Sequence, residues 1–327
     1  YDLVVEVAII RPGPIVGNMV HPYIERRNGR EEPDYIDPRF EPVLKRTLGV
    51  PLFQEQVLQM AVTIANFSGS EAEELRRAIS FNRSEERMQK VLLKLRAGMD
   101  KNGVSKETQG RIEEAIHSFA LYGFPESHAI SFALLAYASA WLKRHRAAEF
   151  YVSLLNNYPM GFYSRATLVR DAKAHGLRVK PVSVIDSNLE CRVEADDIIR
   201  LGLSQTKALS RSTAERLVML RQERPWNDLP DFLARVRPNK KERRVLAKIG
   251  ALNGLAEHRR DALWKAEQRV VQGDFFAKVA NDTTTELPPM SSMERLDADY
   301  AGLGLTTGPH PMAYVREHCQ AANIWKA

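Results

Sequence analysis

The chain has 327 residues, with 47 Lys and Arg against 41 Asp and Glu for a formal net charge of +6. Its two cysteines, Cys191 and Cys319, stand far apart, which excludes a disulfide framework and a cysteine zinc site and fits a reducing compartment. No apolar run reaches the ~18 residues of a membrane span, so no membrane partner is expected, and the length admits two or three domains.

Tyr1 opens in what reads as a strand or loop, without an initiator Met or a signal-like segment. Residues 1–50 are rich in Pro and Gly and are expected to be irregular, with Arg11-Pro-Gly-Pro14 as a turn. From Gln54 to Trp141 the pattern is helical. Ser70 with Glu73 predicts a capping box ahead of Leu75, Ala78 and Ile79. Arg76 and Arg77 follow on that helix, about 100° apart around it, so one or both face outward. Their planar forks suit phosphate oxygens, although the pattern alone reads as a solvated surface. Asn102-Gly103 separates this region from a helix over Lys106–Phe119.

Next comes a sharp turn, Gly123-Phe124-Pro125, which delivers Ser127 and His128 to the start of another helix. Ile130, Leu134, Tyr137 and Trp141 form one helical stripe, and Phe132, Leu135, Ala138 and Leu142 fill other faces. That pattern predicts a helix buried nearly all round. Its first turn offers free N–H groups and a partial positive charge, a place to hold phosphate. A plain core helix with a capping serine fits the period as well. Glu149–Asn156 continues helical until Tyr158-Pro159 stops it.

Ala166–His175 reads as an amphipathic helix ended by Gly176, followed by short strands at Arg178–Lys180, Glu190–Val193 and Ile198–Leu203, with Asp196-Asp197 at a hairpin turn. Leu201-Gly-Leu203, a hairpin and the helix Thr213–Arg221 then read as a helix-hairpin-helix unit. Lys240–Ile249, Gly250-Ala-Leu-Asn-Gly254 and Glu257–Val270 look like a degenerate second copy. Such units hold the DNA backbone through N–H groups at a Gly-rich hairpin, independently of sequence. Here Ala208-Leu209-Ser210 replaces the Gly-x-Gly, leaving Lys207, Ser210, Arg211 and Ser212 as DNA contacts, with a purely structural role as the alternative. Residues 201–265 hold fifteen Lys and Arg against seven Asp and Glu, a local excess that reads as a nucleic-acid footprint. Asp282 to Met290 reads as a linker. Asp297-Ala-Asp299 reads as a solvated loop, so no metal ligands or catalytic carboxylates are assigned, and His21, His117 and His145 receive no role. The fold class expected is mainly α with minor β.

The wording of several segments narrows this further. Gly123-Phe-Pro-Glu-Ser-His-Ala129, Ser131-Phe-Ala-Leu-Leu135 and Tyr137-Ala-Ser-Ala-Trp-Leu-Lys143 resemble the bacterial C-family DNA polymerases, the alpha subunits of polymerase III. Arg11-Pro-Gly-Pro14, Met19-Val-His-Pro22, Leu48-Gly-Val-Pro-Leu-Phe-Gln-Glu-Gln56, Leu75-Arg-Arg-Ala78 and Pro159-Met-Gly-Phe-Tyr163 agree, in the family's order over almost the whole chain. Pro125-Glu126, in place of the Asn-Lys of the replicative branch, makes the likeness greatest to the error-prone translesion paralogue. The replicative alpha subunit and a non-catalytic DNA-binding adapter are the alternatives.

The resemblance implies a helical fingers domain over 1–163, an α/β connection over 164–200 and a tandem helix-hairpin-helix domain over 201–270. A clamp-binding peptide with linker follows over 271–290, and an approach to an OB domain over 291–327. It implies dNTP contacts at Arg76, Arg77, Ser127 and His128, and a primer-template DNA partner. Mg²⁺ would be held by a palm domain outside this chain, without which the chain is not expected to polymerise. The loss of a Lys and gain of Glu126 fits a looser grip on the nucleotide. Gln272-Gly-Asp274-Phe275-Phe276 resembles a peptide that docks polymerases on the sliding clamp, a Gln anchor with paired aromatics filling an apolar groove. In the error-prone branch a damage-response accessory protein is the alternative route to the clamp.

Overall fold

The computed structural model describes residues 1–10, 20–80, 85–267 and 287–321. Arg11-Pro-Gly-Pro14, most of Asp282–Met290 and the Gln272–Phe276 peptide therefore lie wholly or partly outside the described residues. The chain forms two compact units, Tyr1–Ala138 and Ser139–Ala327. It is mainly helical with one small sheet, as the composition of the segments predicts.

The first unit opens on α1 (Asp2–Ile9) and α2 (Val20–Arg27). These helices correct the expectation of an irregular start. Val4, Val5 and Ala8 share one face of α1 and bury it with Tyr23, Leu52 and Phe53, and this packing overrides the β preference of a Val-rich run. A short α3 (Glu41–Leu44) leads to α4 (Gln54–Ala65), α5 (Gly69–Ser80), α6 (Glu85–Lys101) and α7 (Lys106–Tyr122). Their apolar faces meet around Met60, Ile64, Leu75, Leu95, Met99, Ile112 and Phe119. Gly98 lets α6 cross close to α4, since a Cβ there would stand 2.4 Å from the Ala65 carbonyl oxygen.

Two details of sequence reading change here. The capping box of α5 is Ser68 with Glu71: the Ser68 N–H donates to Glu71 Oε2 at 3.0 Å and the Glu71 N–H to Ser68 Oγ at 3.4 Å. Glu73 is thereby released for another role. The helix after the Gly-Phe-Pro turn, α8 (Glu126–His145), forms as predicted but is not buried all round. Only Ala129 and Ala133 are buried, while Leu134, Tyr137 and Trp141 are 68%, 62% and 49% exposed. Periodicity specifies a helix; it does not supply the neighbour that covers it.

In the second unit α9 (Ala147–Asn156) and α10 (Arg165–Ala174) pack on a three-stranded sheet of β1 (Arg178–Lys180), β2 (Arg192–Ala195) and β3 (Ile198–Arg200). The order is β1-β3-β2, with β1 parallel and β2 antiparallel to β3. Asp196-Asp197 form the β2–β3 turn as expected. Four helices follow: α11 (Arg211–Glu223), α12 (Leu229–Val236), α13 (Lys240–Lys248) and α14 (Arg259–Glu267). Leu217, Phe232, Leu246 and Leu252 bury into the same core.

The last two helices described are α15 (Ser292–Leu303) and α16 (Pro311–Ala321). The expectation of a solvated loop at Asp297-Ala-Asp299 is corrected in part, since Asp297 is exposed but the segment is helical. Both acids lie on α15, and Asp299 is buried, accepting from Arg259 Nη1 at 2.7 Å and Thr306 Oγ1 at 2.7 Å. α15 lies tightly on α13, for a Cβ on Gly302 would come 2.3 Å from Ile249.

Candidate nucleotide and nucleic-acid interface

Leu75, Ala78 and Ile79 bury one side of α5 and turn Arg76 and Arg77 outward. Both guanidinium groups close on one carboxylate. Arg76 donates through Nε to Glu73 Oε2 at 2.8 Å and through Nη2 to Oε1 at 2.9 Å, and Arg77 Nε reaches Oε1 at 3.0 Å. These bonds hold the Glu73 carboxyl down to about 2, so it is ionised at any working pH.

Ser127 and His128 occupy the first turn of α8 and are exposed. The His128 ring lies against Phe132 and Phe124, with centroids 4.6 and 5.3 Å away. The positive end of the helix is already met by a carboxylate, because the Glu126 N–H donates to Glu55 Oε2 at 2.9 Å. The Glu126 side chain turns away to accept from the Tyr1 hydroxyl at 2.7 Å. Neighbouring Gln56 is buried, and its Oε1 accepts from the Leu52 and Phe53 N–H groups at 2.9 and 3.0 Å. The Gln-Glu-Gln segment thus ties the loop before α4 to the start of α8, a part sequence reading did not assign. Among the described residues no hydrogen bond or ion pair joins Arg76 or Arg77 to Ser127 or His128.

In the second unit Ala208 takes φ +60°, the left-handed conformation for which a hairpin glycine is usual. Lys207 is turned onto the end of α15: its N–H donates to the Gly302 carbonyl at 2.7 Å and its Nζ to that of Tyr300 at 3.1 Å. Ser210 caps α11, accepting from the Thr213 N–H at 3.2 Å, while its own N–H and hydroxyl both go to Glu242 Oε1, at 3.0 and 2.6 Å. Arg211 pairs with Glu215 and Ser212 lies 3.3 Å from Ser210. The predicted contacts therefore cluster, but Lys207 and Ser210 are engaged within the protein. Lys240, Lys241 and Lys248 are exposed on α13, and among the described residues no ion pair engages them. All three belong to the basic excess of residues 201–265.

For a divalent metal the described residues offer no group of three or more His, Cys, Asp or Glu. Asp299 is committed to Arg259, and Asp197 to Arg178 at 2.9 Å. Among the described residues, no helix is long and apolar enough to cross a membrane.

Comparison with known proteins agrees with these parts. The family described as "Bacterial DNA polymerase III alpha subunit finger domain" matches residues 1–103, and "Helix-hairpin-helix motif" matches residues 176–262. The chain is 47% identical over 320 residues to an error-prone DNA polymerase of Dechloromonas aromatica, which covers 97% of this chain and 31% of that protein. It is 44% identical over 330 residues to the error-prone DNA polymerase of Pseudomonas syringae, covering 98% of this chain and 32% of the relative. Likewise it is 44% identical over 329 residues to that of an Anaeromyxobacter species, with 97% and 29% covered. The chain thus spans about a third of the length of these relatives. A finger match in the first unit, a helix-hairpin-helix match in the second and this likeness across nearly every residue lead to one family: the chain belongs to the bacterial DNA polymerase III alpha subunit family and is similar over nearly its whole length to error-prone DNA polymerases.

Proposed function

We propose that the whole protein is a DNA-directed DNA polymerase of the error-prone, damage-induced type, and that this chain supplies its grip on the nucleotide and part of its grip on DNA. The observation that carries the reading is the pair of guanidinium forks on α5, held outward by a fully buried Leu75 within the finger match. Arg76 and Arg77 bind the incoming triphosphate, with Ser127 and His128 on the nucleotide-contacting loop. Mg²⁺ would be held by carboxylates of a palm domain outside this chain and would supply charge stabilisation for nucleotidyl transfer. The residues here orient the triphosphate and neutralise its charge.

Residues 201–270 contact the duplex backbone. The chain is expected to bind duplex DNA without sequence preference, with a log–log salt slope on the order of −3 to −5. Changing Lys240, Lys241 and Lys248 together to Glu should flatten that slope by about 2–3, at roughly one unit per phosphate lost. Arg211→Glu removes about one unit more. Fluorescence anisotropy across a salt series measures both, and binding indifferent to salt rejects a backbone role.

The reading of Gln272–Phe276 as a clamp-docking peptide stands on the sequence. Phe275→Ala with Phe276→Ala is expected to abolish capture on immobilised sliding clamp and leave the melting temperature unchanged. Intact capture, or a collapsed melting temperature, rejects docking, and capture that requires a damage-response accessory protein favours the partner-mediated route.

A further inference from the structure

The carboxylates of α5 divide their work. Glu71 serves the Ser68 cap and Glu74 pairs with Lys94 at 2.8 Å, so neither faces the arginines. Glu73 alone does, at the i+3 and i+4 spacing that stacks side chains on one helix face. It takes the Nε and Nη2 edge of Arg76 with both of its oxygens, the edge a phosphate would use for a two-pronged bond, and Arg77 Nε shares Oε1. The side chains of Glu73, Arg76 and Arg77 are 41%, 43% and 70% exposed. The site is therefore open to solvent, and exchange of one anion for another is unhindered.

We propose that Glu73 is a positioning residue that stands in for the nucleotide's phosphate, holding both forks together in the empty enzyme and leaving them when the triphosphate enters. The proposal rests on the reading of Arg76 and Arg77 as nucleotide contacts. Every ligand that needs the forks must first displace Glu73, so each has its affinity reduced by the same fraction of open sites. Exposed pairs of this kind are weak, which keeps the exchange rapid and the factor small.

The test is steady-state single-nucleotide incorporation by the full-length polymerase carrying Glu73→Gln, Glu73→Asp or Arg76→Ala with Arg77→Ala. Glu73→Gln is expected to lower the dNTP KM by about twofold to fivefold, to leave kcat unchanged, and to lower the inhibition constant of a non-hydrolysable triphosphate by the same factor. Glu73→Asp, which keeps the charge, should return KM toward the wild-type value. If the double arginine variant raises KM but Glu73→Gln leaves it unchanged or raises it, the stand-in role is rejected and the nucleotide reading survives. If the double arginine variant itself leaves KM unchanged, the nucleotide reading falls and the stand-in role with it. A lowered melting temperature accompanied by a raised KM in Glu73→Gln marks a structural role and overturns the proposal.

Discussion

Replacing Arg76 and Arg77 together by alanine in the full-length enzyme is expected to raise the dNTP KM at least about tenfold, as loss of charge-assisted contacts requires. The affinity for primer-template DNA should stay within about a factor of two, because the arginines lie on α5 and the basic excess lies in residues 201–265. Folding should hardly respond, since Leu75, Ala78 and Ile79 anchor the helix and remain in place. Single-turnover incorporation over a range of dNTP concentrations separates the terms. An unchanged KM, or equal losses in nucleotide and DNA affinity, rejects the assignment.

The largest effect on stability is expected at Glu242. Its carboxylate is buried, and it accepts from the Ser210 N–H and hydroxyl through Oε1 and from the Asn239 N–H at 2.8 Å through Oε2. It joins the start of α11 to the start of α13. Glu242→Ala leaves those donors without a partner, which should cost about 2–3 kcal/mol, measured by urea unfolding. Burial pushes this carboxyl up, but the hydrogen bonds from Ser210, Asn239 and Thr213 outweigh it and leave it below the ordinary glutamate range. The folded form thus favours the ionised state. Its contribution is present above the unfolded value of about 4.3 and is lost as pH falls through the lower folded value. Glu242→Ala should remove that part of the acid dependence, and an unaltered slope below about pH 4.3 excludes the bridging role.

Much of the fold was legible because periodicity and turn residues are local. The helical stretch 54–122, the helices α11, α13 and α14 and the three strands lie within a few residues of their predicted places, while α12 has no counterpart in the sequence reading. What failed depended on distant partners or on local ambiguity. Ser68 and Ser70 each have a Glu three residues on, and the sequence offers no way to choose between them. The Val-rich start became α1 because Tyr23 and Phe53 bury it. The acids at 297–299 looked solvated because Arg259, forty positions earlier, is invisible from them. The stripe of α8 was read as a core because an apolar pattern looks alike with or without a neighbour. At the candidate sites the sequence names residues but not their engagements: Glu73 on the arginines, Glu242 on Ser210 and α15 on Lys207 are all tertiary or register facts. The substitution at Ala208 was visible in advance, and its left-handed backbone is what a replaced hairpin glycine requires.

The return of α15 and the segment after it has a consequence for how the second unit is made. Lys207 reaches Tyr300, 93 residues away, and Lys173 Nζ donates to the Thr307 carbonyl at 2.5 Å across 134 residues. Contacts this remote are entropically expensive to close and slow a folding reaction. On the ribosome, at ~5–20 residues per second, α10 emerges several seconds before its partner at Thr307 exists. Through that interval the side of α13 that receives Gly302, with Val245 and Ile249, stands uncovered. The basic segment is thus synthesised before the helix that seals it, and the unit's most aggregation-prone moment falls before that helix is translated.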